Sequence, residues 1–251
     1  MDNRVDLIKE FYQGLPTNRV KLETFHYGFD FLEKLLTDGI VLRYGERYIT
    51  GRFYKYKLAN VPKERIDGLL QAHVRKECNV CLYFDGNANG LFCFNLDINH
   101  KVNNTVMIPE MAVAVTLLRD ILAGAGCEPL VIASGRGYHC WCRLDAPVSN
   151  ERLHKFMLGA MARTFYGLQQ NGMDHRKIKA NFYPDPRTQD TVSLRLFGSE
   201  HMNTKLFSQV LSREGLLDEA ASWKAFEEHL RRHAIIAEAF DAGYASMTSA
   251  A

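Results

Sequence analysis

The sequence carries almost no surplus charge. Its 31 lysines and arginines face 29 aspartates and glutamates, a formal net charge of +2 over 251 residues. Overall charge therefore supplies no field for a polyanion, and any basic surface has to be local. Long apolar runs are missing as well. The opening Met1–Gly14 mixes charges with a short apolar pattern and lacks a hydrophobic stretch of signal-peptide or membrane-spanning length. The expectation is a cytoplasmic protein with no membrane partner. Cysteine is scarce, with six residues at 78, 81, 93, 127, 140 and 142. That density is too low for a disulfide scaffold, and reduced thiols are expected. Cys78 and Cys81 form a CxxC with His73 nearby, half of a zinc site, but no second CxxC or HxxxH completes it. Burial in the core is the preferred reading of that group. Repeats and low-complexity tracts are also absent.

What is present is the makeup of an ordinary globular protein, 47% hydrophobic and 24% charged, enough for one large domain or two tightly packed subdomains. Two amphipathic segments, about Arg4 to Gln13 and Arg19 to Leu36, predict helices, the second from Phe25, Phe29, Leu32 and Leu36 at helical spacing. Tyr44 to Leu58 reads as β-rich, and Pro62 opens a helix to about Lys76. Cys81 to Phe84, the turn-rich Asp85–Gly90 and Leu91 to Asn99 read as a β-hairpin. A helix over Pro109 to Ala125 precedes strands Leu130 to Ser134 and Tyr138 to Leu144. Ser149 caps a helix over Asn150 to Gln170. A loop with Pro184 and Pro186 leads into a strand over Thr191 to Phe197, then a helix over Lys205 to Leu211. A last helix spans Asp218 to Phe240, and the tail from Gly243 is expected to fray.

Side chains alternate across a strand, so parity separates a core face from an open one. In Leu91 to Asn99, Phe92, Phe94, Leu96 and Ile98 alternate with Cys93, Asn95, Asp97 and Asn99. In Gly137 to Leu144, Tyr138, Cys140 and Cys142 alternate with His139, Trp141 and Arg143. In Thr191 to Phe197, Val192, Leu194 and Leu196 alternate with Thr191, Ser193 and Arg195. A solvated sheet face usually carries Lys, Glu and Thr. This pattern instead offers Asp, Asn, His and Arg, the side chains that suit a metal ion and phosphates. The expectation is one sheet face that carries Asp97, His139 and Arg195. The turn Ser134-Gly-Arg-Gly137 stands just before His139, where two glycines let backbone N–H groups approach phosphate oxygens and Ser134 and Arg136 add donors. After the third strand, Gly198-Ser-Glu-His-Met-Asn-Thr-Lys205 offers Ser199, His201 and Lys205 as phosphate contacts, or a simple capped turn.

These pieces, in this order, resemble the archaeo-eukaryotic primase superfamily, which includes primase small subunits, primase-polymerases and the polymerase module of bacterial end-joining ligases. Phe92-Cys-Phe-Asn-Leu-Asp97 lies on the family's hydrophobic run with Asp-x-Asp. Ala133-Ser-Gly-Arg-Gly-Tyr-His-Cys-Trp141 matches its small-residue turn and His, and Arg195-Leu-Phe-Gly-Ser199 its last strand, with Lys205 downstream. The resemblance implies an α+β fold, with an RRM-like palm sheet and flanking helices beside an N-terminal α/β subdomain. It divides the chain into residues 1–77, a catalytic palm over 78–211, and a C-terminal helix and tail over 212–251 packed on the core. It implies that Ser134, Arg136, His139, Arg195, Ser199 and Lys205 hold a nucleoside triphosphate. Asp97, Asn95 and a third residue would hold magnesium or manganese. Asp185 is the choice for that third residue, with Asp190 and Asp174 as alternatives.

The implied activity is metal-dependent, template-directed nucleotidyl transfer, as primase or polymerase, with NTPs or dNTPs. The implied partners are single-stranded or primed nucleic acid and, in a replication or repair setting, a helicase or other proteins. Trp141 would stack on a base or sugar, or pack. One departure stands out, because Asn95 occupies the place of the family's first Asp and offers a neutral oxygen where transfer needs charge. Its corollary is a primase-like domain that has lost chemistry and binds nucleotide or nucleic acid. A rolling-circle endonuclease needs a His-hydrophobe-His pair, and His139-Cys-Trp141 supplies a single His.

Overall fold

The computed structural model describes residues 3–12, 19–24, 42–43, 54–84, 86–100, 108–187, 193–202, 204–232, 234–235 and 237–249. The fold is α+β, with two sheets. Contact density divides the chain into two units, residues 1–85 with 188–208, and residues 86–187 with 209–251. Chain segments 188–208 therefore return to the first unit, a division that differs from boundaries drawn at 77 and 211.

The first unit holds helices α1 (Arg4–Phe11) and α2 (Lys63–Val74) and an antiparallel sheet. Its strands are β1 (Val20–Thr24), β2 (Leu42–Arg43), β3 (Tyr54–Leu58), β4 (Asn79–Tyr83) and β9 (Ser193–Arg195), in the order β2-β3-β1-β4-β9. The described part of the expected helix over 19–36 is β1. Val20, Leu22 and Thr24 are buried and Lys21 and Glu23 alternate with them, so period two wins once β3 and β4 pair on either side. The helical spacing of Phe25 to Leu36, and residues 44–53 of the β-rich stretch, lie outside the described residues.

The second unit has the sheet order β10-β6-β7-β5-β8, with β5 (Ala88–Ile98), β6 (Leu130–Ala133), β7 (Gly137–Ser149), β8 (Ile178–Tyr183) and β10 (Gln209–Val210). A short β11 (Ala234–Ile235) runs parallel to β7. The expected hairpin of Cys81–Phe84 with Leu91–Asn99 does not form, because β4 and β5 belong to different sheets and the turn-rich segment carries the chain from one unit to the other. Helices α3 (Pro109–Gly124) and α4 (Asn150–Gln170) cover one face of the second sheet. Phe92, Phe94, Leu96, Cys140 and Cys142 pack there with Leu118, Leu122, Phe156 and Met157. The Ser149 hydroxyl caps α4 by accepting from the Arg152 N–H at 3.4 Å.

Three expectations about the C-terminal third are corrected. Lys205–Leu211 is not helical. Lys205 takes a positive φ of 60°, and Gln209–Val210 pairs with β6 as β10. The last helix is two, α5 (Glu219–Arg232) and α6 (Ala237–Thr248), separated where Ile235 is buried in pairing with Leu144. The stretch from Gly243 to Thr248 belongs to α6, which is anchored by buried Phe240, Gly243 and Met247.

Candidate functional site

Residues directly opposite in antiparallel strands share a sheet face. On β5, Asn95 lies opposite His139 of β7 on one side and Asn181 of β8 on the other. One row on, Asp97 lies opposite Gly137 and Lys179. In the other direction Cys93 lies opposite Trp141 and Tyr183. This is the face turned away from α3 and α4, whose packing uses the even residues of β5. Asn95 and His139 are buried, Asp97 and Asn181 half-buried and Lys179 exposed. The Asn95 Nδ2 donates to Asp97 Oδ2 at 3.3 Å. The Asn95 Oδ1 is buried with no hydrogen-bond partner among the described residues, an acceptor waiting for a donor. Trp141 is 1% exposed and packs beside Cys93, so no ring face is open for stacking on a base.

The Ser134–Gly137 turn closes β6 onto β7, with the Ser134 N–H donating to the Gly137 carbonyl at 2.8 Å. Gly135 has φ 97°, the left-handed geometry that a tight two-residue hairpin turn demands at its first central position. Gly137 serves a different purpose. A Cβ there would meet the Leu96 carbonyl oxygen at 1.9 Å and the Asp97 Cα at 3.1 Å, so the strand that carries His139 lies against the backbone of Asp97 only because residue 137 has no side chain. Arg136 stands exposed at the tip and Ser134 is buried at the base.

The other expected residues lie elsewhere. Asp185 follows the end of β8 that is level with Cys93, an end four residues, or about 13 Å, along the strand from the level of Asp97. Its carboxylate is held by Arg187 at 2.9 Å, and that hydrogen bond keeps it below the ordinary carboxylate range. Asp174 is likewise held by Arg176, which lowers it to about 2. Asp190 lies outside the described residues.

Arg195 is in the first unit, not on the sheet of Asp97 and His139. Alternation correctly separates the two faces of a strand but cannot say which sheet the strand joins, and β9 pairs with β4. There Arg195 heads a row with Cys81, Lys21 and Lys57, next to a row of Asn79, Glu23 and Lys55. Burial resists ionisation of Glu23, but Lys21, at 3.0 Å, with Arg195 and Lys55, outweighs it and holds the carboxyl below its usual range. The basic row was hidden from sequence reading because Lys21 fell in a segment expected to be helical. Ser199 is fully buried, with its hydroxyl donating to the Leu196 carbonyl and its N–H donating to Ser208 Oγ. His201 Nδ1 accepts from the Thr204 N–H at 3.1 Å, and Lys205 is exposed.

The zinc reading of Cys78 and Cys81 has no support here. His73 Nδ1 accepts from the Val80 N–H at 3.1 Å and Nε2 donates to the Phe197 carbonyl at 2.8 Å, so both ring nitrogens are occupied. Burial pushes each thiol up to about 12, far from the thiolate a metal takes. Nor does the second unit's face fit two magnesium or manganese ions. Its donors are one carboxylate, Asp97, and the neutral amides of Asn95 and Asn181, with Lys179 the register partner of Asp97 on β8. Among the described residues no group of three or more His, Cys, Asp and Glu is placed to hold a metal.

No family model matches the sequence, and no curated protein matches it. By structure it is similar to the polymerase domain of Mycobacterium tuberculosis ligase D in complex with DNA. That match has 13% identity and a TM-score of 0.46 and covers 98% of this chain and 87% of that one. It is also similar to the AEP domain of the cyanophage S-2L primase-polymerase, with 10% identity and a TM-score of 0.39 over 89% of this chain and 96% of that one.

Proposed function

We propose that this chain is a primase-like domain that binds the phosphates of a nucleoside triphosphate on the face of the second unit's sheet turned away from α3 and α4, beside the Ser134–Gly137 turn, and that its two-metal chemistry is impaired. The observation that supports this reading is the register of β5, β7 and β8. It sets His139, Asn95 and Asn181 in one row and the glycine turn next to Asp97, while supplying a single carboxylate. His139 and Arg136 offer donors to phosphate oxygens, and the Asn95 and Asn181 amides hold polar groups in place without adding negative charge. Arg195, in its basic row, and Lys205 are the cations the first unit offers to an anionic partner. Single-stranded or primed nucleic acid is the proposed macromolecular partner.

Template-directed nucleotidyl transfer with magnesium or manganese is the second reading, favoured by the half-buried Asp97 and the unpartnered Asn95 oxygen beside it. It requires a further carboxylate beside Asp97, which the described residues of that face do not supply. The discriminating experiment is labelled-nucleotide incorporation on unprimed and primed single strands, with magnesium and manganese compared and thermal stabilisation by nucleotide measured in parallel. Stabilisation without incorporation supports the binding domain. Incorporation that Asp97→Ala abolishes overturns it in favour of transfer, and incorporation on the unprimed strand makes the enzyme a primase.

A further inference from the structure

We infer that nucleotide binding by this chain is independent of divalent metal, with Lys179 supplying the positive charge that a bound cation would otherwise bring to the phosphates. This rests on the nucleotide-binding reading above. Metal-assisted phosphate sites hold their cations with several carboxylates, whose summed negative charge offsets the cost of stripping water from the ion. On this face β8 brings none. Its two residues beside the β5 pair are Asn181, opposite Asn95, and Lys179, opposite Asp97. The Asp97 carboxylate accepts from the Asn95 amide at 3.3 Å, and Lys179 is its register partner on β8. A single carboxylate in register with a lysine offers little net negative charge to attract magnesium.

An anion meets the opposite situation. Lys179 is exposed, and among the described residues its ammonium has no ion-pair partner. It stands in the same row as Gly137, one residue from Arg136, so two cationic side chains flank the single carboxylate. The buried Asn95 oxygen needs a donor rather than a charge, and a ribose hydroxyl or a water satisfies it as well as a metal does. A lysine on an edge strand also has a bland use, since it discourages pairing with another chain. That use predicts no change in nucleotide affinity when it is removed.

The test is equilibrium binding of ATP and dATP to the full chain, in EDTA and in magnesium, for the wild type, Lys179→Ala and Lys179→Asp. Affinity in EDTA should equal that in magnesium within about twofold. Lys179→Ala should weaken it by roughly tenfold or more in both buffers, the worth of one charge-assisted hydrogen bond. Lys179→Asp, which places a second carboxylate beside Asp97, should bind poorly in EDTA and acquire manganese binding visible by electron paramagnetic resonance. Binding that occurs only with magnesium overturns the inference and leaves the nucleotide-binding reading standing. Absence of binding in both buffers overturns that reading, and the inference with it. Metal-independent binding unchanged in Lys179→Ala removes Lys179 from the site and identifies it as an edge guard.

Discussion

Gly137 is the residue on which the candidate face turns. Main-chain atoms of Leu96 and Asp97 occupy the space a methyl group would need, and neither can swing aside as a side-chain tip can. Gly137→Ala should therefore cost about 2 kcal/mol by overpacking, read as a lower urea midpoint, and should weaken nucleotide binding through displacement of Asp97. His73 makes a separate prediction. Burial lowers it to about 4 from 6.5, so the folded imidazole stays neutral where the unfolded one takes a proton. Its contribution is whole above pH 6.5 and is lost as pH falls toward 4, about 3 kcal/mol in all. Urea unfolding at pH 7 and pH 4 should show that loss reduced in His73→Gln. The sequence already pointed to Asp97, His139 and the glycine turn, because alternation and turn chemistry are local. Asn181 and Lys179 were missed although Ile178, Ala180 and Phe182 alternate with Lys179 and Asn181 as a strand should, because the prolines that follow drew the segment into a loop.

Elements whose period and caps agree were legible in the sequence, although β7 runs on to Ser149, past the expected end at Leu144. Helix α4 begins at its Ser149 cap, α3 ends before Gly126 with its positive φ of 75°, and β6 and β7 form a hairpin across the Ser134 turn. The failures lie where a partner decides. Helix α5 stops because β7 offers Arg143 and Leu144 as parallel partners for Ala234 and Ile235, a contact between residues about ninety apart that no local pattern announces. Helix α6 survives past Gly243 because α4 approaches it closely. A Cβ on Gly159 would stand 2.4 Å from the Met247 carbonyl oxygen. Gly159→Val should consequently release α6 from α4, seen as faster amide hydrogen exchange over 237–248 while the β5–β7 ladder keeps its protection.

At the scale of the whole molecule, a net charge of +2 hides local asymmetry. The first unit gathers Lys21, Lys57 and Arg195 in one row, with Lys55 beside them, against Glu23, and the second sets Arg136 and Lys179 around Asp97. Binding of single-stranded nucleic acid through such local cations should weaken steeply between 50 and 200 mM salt, and Lys55→Glu with Lys57→Glu should flatten that dependence. The expectation of one face carrying Asp97, His139 and Arg195 divided here, since residues 188–208 return to the first unit and take Arg195 with them. What remains together is a turn, a histidine and one carboxylate with two asparagines and a lysine, which the proposal assigns to phosphate rather than to metal. The most direct test is equilibrium binding of a nucleoside triphosphate to the full chain and to its Arg136→Ala and His139→Ala variants. One saturable site, weakened roughly tenfold by each substitution, is the predicted result. Absence of saturable binding, or binding indifferent to both substitutions, contradicts a nucleotide site on this face.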